Sequence, residues 1–445
     1  MIHDERLQVL RPGQPTGSAR YALYWMQASV RSRCNHALEY AVLRANELHQ
    51  PLLVAFALTP SYPEANERSY SFLLEGLRDV EQALKARGIG FVVRLGHPPE
   101  VLLELAREAS LLVTDRAYLR PAREWRTWLA ERLEIPFVQV ETDALVPIAA
   151  ASGKQEWAAR TLRPKIQGLL ERYAVPLEAR DPKHPSLGLP AGLDVSDPAQ
   201  VLATLPIDRQ VPPGLEHGGE RLAQGRLREF LASGLDGYDL RRNDPNVDGS
   251  SRLSAYLHYG HLSPLDALLA AREVGGAGLA AFTEELVVRR ELSFNLCHYN
   301  PHYDRYQGLP EWARKTLAEH QGDPREHLYE RAALEAGQTH DPYWNAAQHQ
   351  MTRTGRMHNY LRMYWGKKVL EWSATPQQAY QTLIDLNNRY ETDGRNANSY
   401  AGINWIFGTH DRPWGRRPVF GTVRYMAASG LKRKFDADAY AARWA

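Results

Sequence analysis

Three tryptophans lie close together in a part of the chain that is otherwise rich in amides, histidines and arginines. They are Trp344, Trp365 and Trp372. Trp365 and Trp372 are seven residues apart, so on one helix they fall on nearly the same face, two turns apart. Because the region of Gly355 interrupts the run, Trp344 must come from another helix. Indoles are easily oxidised, so such a row can pass electrons stepwise, although a tryptophan-rich core is the simpler interpretation of these residues alone.

Three other segments carry residue types that suit a binding site. Asp248–Ser251 predicts a turn followed by a helix start, where hydroxyl and free N–H groups favour an anion such as a diphosphate, unless it is a plain helix cap. In the segment 282–300, Glu285 and Arg289 are four residues apart, which an ordinary helical ion pair explains. The loop 387–405 is dense in Asn and Gly, and binding sites are often built on loops of this kind.

Composition limits the class of protein. The chain has 445 residues, of which 44% are hydrophobic and 24% charged, as expected for a globular protein of two domains. The net charge is only +2, yet residues 401–445 carry eight Lys and Arg against three Asp. Such a basic segment can hold phosphates, although a solvated basic face is more common.

Several classes are not expected. The two cysteines, Cys34 and Cys297, form no CxxC pattern, and the histidines lack HExxH spacing, so neither a disulfide framework nor a metal site is predicted. No stretch reaches the apolar length of a membrane span, and the N-terminus does not resemble an export signal. We therefore expect a soluble, cytoplasmic protein that acts as a monomer.

The periodicity of apolar residues predicts the elements that position these candidates. Apolar β-type runs begin at Tyr21, Pro51, Gly90, Leu111 and Phe137, and segments with helical spacing separate them. Residues 1–185 therefore predict a doubly wound, Rossmann-like α/β domain with a parallel sheet, in which ligands would gather beyond the carboxyl ends of the strands. Residues 186–219, rich in Pro, Gly and Asp, predict a linker. Residues 220–445 predict a mainly α-helical domain.

Taken together, ordered segments along nearly the whole chain resemble the photolyase/cryptochrome family. They include YWMQASVRSRCNHALEYA, SRLSAYLHYGHLS, EELVVRREL, THDPYWNAAQ, GRMHNYLRMYWGKKVLEW, DGRNANSYAGINW and HDRPWGRRPVFGTVRYM. MYWGKKVLEW and RPVFGTVRYM are more similar to class II cyclobutane pyrimidine dimer photolyases than to the other branches. The loop DGRNANSY departs from the DGRDPNGY expected for this class, as does Asn359 where Gly is usual.

The resemblance implies that the helical domain binds FAD and that fully reduced FADH⁻ is the active form. By position within the matching motifs, the implied cofactor contacts are Tyr238, Arg242, Ser250, Ser251, Leu253, Ser254, Arg289, Arg362 and Asp393. Arg362 and Asp393 would meet near the flavin ring. Either Asn387 or Asn398 would face flavin N5. Relatives also carry a deazaflavin or a folate as an antenna in the N-terminal domain, and the motifs do not decide whether this chain does.

The resemblance further implies light-driven repair of ultraviolet-damaged DNA, by electron transfer to a pyrimidine dimer that is flipped out of the duplex. Glu285 would contact the dimer, and Trp365, with Trp344 and Trp372 behind it, would reduce an oxidised flavin. The implied DNA contacts are Trp405, Arg412, Trp414, Arg416, Arg417 and Arg424. A cryptochrome-like blue-light receptor and a (6-4) photolyase are the alternatives within the same fold, and a nucleotide-binding module with a tryptophan-rich core is the alternative outside it.

Overall fold

The computed structural model describes residues 2–190 and 192–445. Its first part is built on a six-stranded sheet with the strand order β1-β6-β5-β2-β3-β4. The strands are β1 (Leu7–Arg11), β2 (Tyr21–Trp25), β3 (Leu52–Leu58), β4 (Gly90–Leu95), β5 (Ala109–Asp115) and β6 (Phe137–Val140). Every residue of β3 and β5 is buried, because helices cover both faces of the sheet.

The five strands predicted from apolar runs are all present and pair in parallel. The predicted fold class is therefore confirmed. Strand β1 was not predicted. It pairs antiparallel to β6, with Leu7 opposite Val140, and its short, mostly unburied sequence gave no strand signal.

Helices on the two faces of the sheet pack into separate hydrophobic cores. The helices of this part are α1 (His36–Glu47), α2 (Glu67–Ala86), α3 (Pro98–Ala106), α4 (Arg120–Arg132), α5 (Ile148–Ala151), α6 (Ala159–Tyr173) and α7 (Pro198–Thr204). Helix α7 lies inside the segment predicted as a linker, and its Val201 packs into the same core as α2. The domain boundaries at 185 and 220 remain predictions.

From Glu220 onward the described chain is helical. Its α-helices are α8 (Glu220–Glu229), α9 (Tyr238–Arg241), α10 (Ser254–His258), α11 (Pro264–Val274), α12 (Leu279–Thr283), α13 (Arg290–Tyr299), α14 (Glu311–Glu319), α15 (Arg331–Glu335), α16 (Pro342–Thr354), α17 (Asn359–Trp372), α18 (Pro376–Tyr390), α19 (Ala397–Ile406), α20 (Ala428–Lys432) and α21 (Ala437–Trp444). Between α12 and α13 the segment Glu284–Arg289 is a π-helix.

The local sequence explains the separation of the tryptophan helices. Asp341 accepts hydrogen bonds from the amides of Tyr343 and Trp344 and so begins α16, and Pro342 suits the first helical position. Gly355 ends the same helix with a left-handed φ of 80°. Trp344 therefore lies on α16 and Trp365 on α17, as predicted.

A buried arginine joins the two parts of the molecule. Arg68 of α2 donates hydrogen bonds to the backbone carbonyls of Pro212 at 3.0 Å and Thr352 at 2.8 Å, and also to that of Tyr390. Thr352 and Tyr390 lie near the ends of α16 and α18, so one side chain of the sheet part holds two helices of the helical part. Among the described residues, no helix is both long enough and apolar enough to cross a membrane.

Candidate active site

A cavity of about 700 Å³ lies within the helical part. This size suits a cofactor-sized ligand. Most of the candidates from the sequence line it: Tyr238, Arg242, Ser250, Ser251, Leu253, Ser254, Glu285, Arg289, Arg362, Trp365, Asn387, Asp393, Asn398, Trp405 and Arg424. The structure thus brings together residues that are up to 186 positions apart in the chain (424 − 238).

The other candidates lie elsewhere. Trp344 and Trp372 are buried in the core behind Trp365. Arg412, Trp414, Arg416 and Arg417 do not line the cavity, and they lie on the loop that precedes Arg424. Two guanidinium groups flank the exposed indole of this loop, since Arg412 and Arg424 lie 5.6 Å and 4.8 Å from the ring centre of Trp414.

The carboxylate of Glu285 pairs with Arg242 at 2.7 Å, not with Arg289. The predicted Glu285–Arg289 helical ion pair is therefore wrong. The cause is the π-helix, which brings residues five apart into register, so that Arg289 pairs with Glu284 at 3.0 Å. Glu285 is consequently directed to the cavity, and π-helical turns of this kind are frequent at functional sites.

Arg362 contacts two carboxylates at the cavity wall. It lies 3.1 Å from Asp393, as the resemblance led us to expect, and 2.9 Å from Glu391. Burial raises the pKa of Glu391 to about 8, although Arg362 opposes this. Burial also acts on Asp393, but there Arg362 and a hydrogen bond from Ser254 together lower the pKa below its ordinary value. Glu391 was not predicted, although it precedes Asp393 by only two residues.

The three tryptophans form a continuous row, in which Trp365 and Trp344 are stacked and Trp372 meets Trp344 edge-on. The ring centres of Trp365 and Trp344 are 6.4 Å apart, and those of Trp344 and Trp372 are 5.7 Å apart. The indole N–H of Trp365 donates to Gln348 at 2.9 Å, a partner that sequence reasoning missed even though Gln348 is one turn after Trp344 on α16. Beyond Trp372 the ring of Tyr329 follows at 5.5 Å. Only Trp365 of the three reaches the cavity.

The cavity wall has the features that a dinucleotide requires. A Cβ atom added to Gly402 of α19 would meet no atom within 4 Å, so the space in front of this backbone is open. The hydroxyls of Ser250 and Ser251 make no hydrogen bond to another described residue, and their carbonyls are fixed by Arg226 at 3.4 Å and 2.9 Å. Free hydroxyls on a cavity wall that also carries Arg242 and Arg289 can bind a diphosphate.

A second cavity, of about 360 Å³, lies beyond the carboxyl ends of the strands, where the α/β pattern predicted a ligand. Its wall includes Trp25, Phe56, Tyr118 and Trp125, and it also touches Tyr238 and Asn398 of the larger cavity. Within residues 2–190 and 192–445, no group of three or more His, Cys, Asp or Glu side chains could hold a metal ion.

The fold and the site define a protein in which an α/β sheet part is joined to a helical part that encloses a large cavity beside a row of tryptophans. Residues 22–184 match the family model described as DNA photolyase. The deoxyribodipyrimidine photo-lyase of Methanothermobacter thermautotrophicus is 49% identical over 100% of this chain and 98% of its own length. The enzyme of the same name from Oryza sativa subsp. japonica is 41% identical over 98% of this chain and 89% of its own length.

The chain therefore belongs to the DNA photolyase family, and the predicted membership is confirmed. A solved structure of the same fold is the archaeal photolyase from Sulfolobus tokodaii, described with two FAD molecules. Its TM-score is 0.71 at 19% identity, over 95% of this chain and 89% of that one.

Proposed function

We propose that this chain is a deoxyribodipyrimidine photo-lyase that repairs cyclobutane pyrimidine dimers in DNA by light-driven electron transfer. The observation that carries the proposal is full-length similarity to relatives of that name, at 49% and 41% identity, in a chain whose cavity gathers the candidate cofactor and lesion contacts. The class II assignment rests on the motifs around Trp365 and Arg424.

FAD is the proposed occupant of the larger cavity. Ser250, Ser251 and Arg289 would hold its phosphates, Tyr238 and Arg242 would flank the adenine end, and Leu253 and Ser254 would complete that wall. Arg362 and Asp393 would lie beside the flavin ring, where the guanidinium favours an electron-rich ring. When bound and reduced, FAD supplies an electron donor that absorbs blue or near-ultraviolet light.

The residues around the remaining cavity space would receive the extruded dimer. Glu285 is held by Arg242 and lies on the π-helical turn at the cavity wall, so its carboxyl group can contact the dimer without a large rearrangement. Trp405 offers an aromatic face, and Arg289 lies 5.6 Å from the centre of that ring. Arg424 and the loop carrying Arg412, Trp414, Arg416 and Arg417 would hold the DNA backbone.

Trp365, Trp344 and Trp372 would carry electrons through the core towards an oxidised cofactor, a step separate from repair. Burial of all three favours this role, because rings shielded from water have fixed separations. Asn387 and Asn398 both line the cavity, and one of these amides would face flavin N5. The smaller cavity is the proposed place for an antenna pigment, of the deazaflavin or folate class.

The test is the loss of thymine dimers from an ultraviolet-irradiated oligonucleotide mixed with reduced, flavin-loaded protein, in blue light and in darkness. We expect repair in light only. If the protein binds and retains reduced flavin but leaves dimers intact in light, the proposed activity is wrong, and (6-4) photoproducts are the next substrate to assay.

A further inference from the structure

One exposed tryptophan of the N-terminal half is held unusually firmly. Trp157 is 45% exposed and lies in the loop just before α6. Side chains of the helical part bind the backbone of this loop at four residues, which are Trp157 and three residues that precede it. Tyr299 donates to the Ser152 carbonyl at 2.5 Å, and Asn295 binds both the Lys154 carbonyl at 3.0 Å and the Glu156 amide at 2.7 Å.

The fourth link comes from the wall of the larger cavity. His410 lines that cavity and donates from Nδ1 to the Trp157 carbonyl at 2.8 Å. Burial lowers the pKa of His410 to about 4, so the ring stays neutral and the bond is independent of pH near neutrality. Exposure of an indole to water costs free energy. Because the backbone is held at four residues, the loop cannot move to bury the ring.

The same short segment fixes the other exposed indole. Asp411, the next residue, accepts a hydrogen bond from the indole N–H of Trp414 at 3.1 Å. Trp414 is 42% exposed, and among the described residues these two are the only tryptophans that count as exposed large hydrophobic side chains. His410 and Asp411 thus connect Trp157 to the loop already proposed to bind DNA.

The charge around Trp157 is suited to an anionic partner. The guanidinium of Arg160 lies 4.6 Å from the centre of the Trp157 ring. In the part of the chain that the structure describes, neither Arg160 nor Lys154 forms an ion pair, whereas Arg163, further along α6, is occupied by Glu284 at 2.8 Å. Glu284 also pairs with Arg289, so this second ionic link ties α6 to the cavity wall.

We propose that Lys154, Trp157 and Arg160 form a second DNA-contact element, which binds the strand flanking the extruded dimer. Arg160 and Lys154 contact phosphates, while Trp157 stacks on a base that loses its neighbour when the dimer leaves the helix. The element extends the DNA surface from the basic C-terminal segment onto the N-terminal half of the chain. This inference rests on the proposed function and adds residues that the resemblance did not imply.

The test measures DNA binding by the flavin-loaded protein in the dark, where repair does not occur. A duplex with one thymine dimer and the same duplex without it are titrated at several salt concentrations. The variants are Arg160→Gln, Lys154→Gln and Trp157→Ala. Arg107→Gln is the matched control, because Arg107 is an exposed arginine that forms no ion pair with a described residue.

We expect Arg160→Gln and Lys154→Gln each to weaken binding to both duplexes about equally and to lower the slope of log K against log salt by about one. Trp157→Ala should weaken binding to the damaged duplex by about tenfold with little change in slope, as loss of one stacked base predicts. In light, repair at saturating DNA should be unchanged, so KM rises and kcat does not.

Affinities and salt slopes equal to those of Arg107→Gln would overturn the proposal. If Trp157→Ala fails to fold, the affinity and salt slope of Arg160→Gln, a substitution of an exposed residue, still test the proposal. Wild-type repair in light is measured alongside. If the wild type repairs dimers and the variants bind normally, only this inference fails. If the wild type binds damaged DNA without repairing it, the proposed function fails while the binding comparison still tests the element.

Discussion

The indole rings of Trp344 and Trp365 lie within 10° of parallel, and the Trp344 indole N–H donates a hydrogen bond of 2.9 Å to the backbone carbonyl of Trp365. Stacking and hydrogen bond together fix the spacing of two rings on different helices. Because only Trp365 of this pair borders the cavity, any electron passing along the stack must use Trp365 as its last position.

The first prediction separates photoreduction from repair. Trp365→Phe should lower the rate of flavin photoreduction by more than an order of magnitude, since phenylalanine is much harder to oxidise than tryptophan. Repair by chemically reduced enzyme should be nearly unchanged. Absorption of the flavin under blue light measures the first effect, and dimer loss after dithionite reduction measures the second. Trp128→Phe, in the sheet part, is the control and should change neither rate. If Trp365→Phe lowered repair by reduced enzyme as much as it lowered photoreduction, the division of roles would be wrong.

The second prediction concerns Glu285. Glu285→Ala should lower light-driven repair by about 100- to 1,000-fold at saturating DNA, the usual effect of removing one group that stabilises charge in a reaction. Flavin content should persist, because the other cavity residues are unchanged. Repair is measured with reduced enzyme, and flavin is quantified after denaturation. Glu273→Ala, an exposed glutamate of α11, should behave as the wild type. Normal repair by Glu285→Ala would remove this residue from the lesion site.

The third prediction is a pH dependence due to Glu391. Its pKa is about 8 in the folded protein and near 4.5 in the unfolded chain, so protonation favours the folded state. Its contribution to stability is fully present below about pH 4.5 and is lost as pH rises through about 8. Through Glu391, the free energy of unfolding of the wild type should fall by several kcal/mol between pH 5.5 and 8.5, at about 1.4 kcal/mol per pKa unit. Glu391→Gln should remove this part of the fall.

Urea unfolding of the cofactor-free protein at these two pH values tests this expectation. The comparison must be between the variant and the wild type, because buried histidines such as His258 and His261, with pKa values lowered to about 3, act in the opposite direction. Parallel stability curves for the two proteins would show that Glu391 is ionised in the folded state.

The fourth prediction concerns helix packing beneath the cavity. A Cβ on Gly366 of α17 would lie 2.0 Å from Cδ1 of Ile406 on α19, so the two helices approach closely only because residue 366 is glycine. Gly366→Ala should lower the free energy of unfolding by about 1–3 kcal/mol through overpacking. Adding Ile406→Val, which removes that methyl group, should restore part of the loss.

Gly168 in α6 provides the matched control, since a Cβ there would meet nothing within 4 Å. Gly168→Ala should raise stability by about 0.5–1 kcal/mol through helix propensity alone. The comparison uses the unfolding midpoints of Gly366→Ala, Ile406→Val, their double variant and Gly168→Ala. Additive effects of Gly366→Ala and Ile406→Val would show that these side chains do not meet.

Much of the fold could be predicted because its signals are local. The apolar runs at Tyr21, Pro51 and Phe137 begin strands at or within one residue of the expected positions, and Gly355 ends a helix as its position predicts. Strand β1 could not be predicted in this way, because it is short and is stabilised by pairing with β6, which is more than 120 residues away (137 − 11 = 126).

Most of the candidate residues line one cavity, but the ion pairs among them could not be predicted. Glu285 and Arg289 have ordinary helical spacing, and only the π-helical turn redirects Glu285 to Arg242. Glu391 was overlooked because a glutamate in a polar loop is usually exposed, whereas here it is buried against Arg362. Trp157 was not among the candidates, because the contacts that hold its loop come from Asn295, Tyr299 and His410, which are distant in sequence.

Arg68 has a consequence for how the cofactor enters and leaves. Because this guanidinium binds carbonyls at the ends of α16 and α18, the helices around the cavity cannot separate from the sheet part without exposing several unpaired buried groups. Exchange of bound flavin with free flavin should therefore be slow, on the timescale of partial unfolding, and the protein should keep its flavin through prolonged dialysis. Arg68→Ala would convert a retained prosthetic group into a readily exchanging ligand.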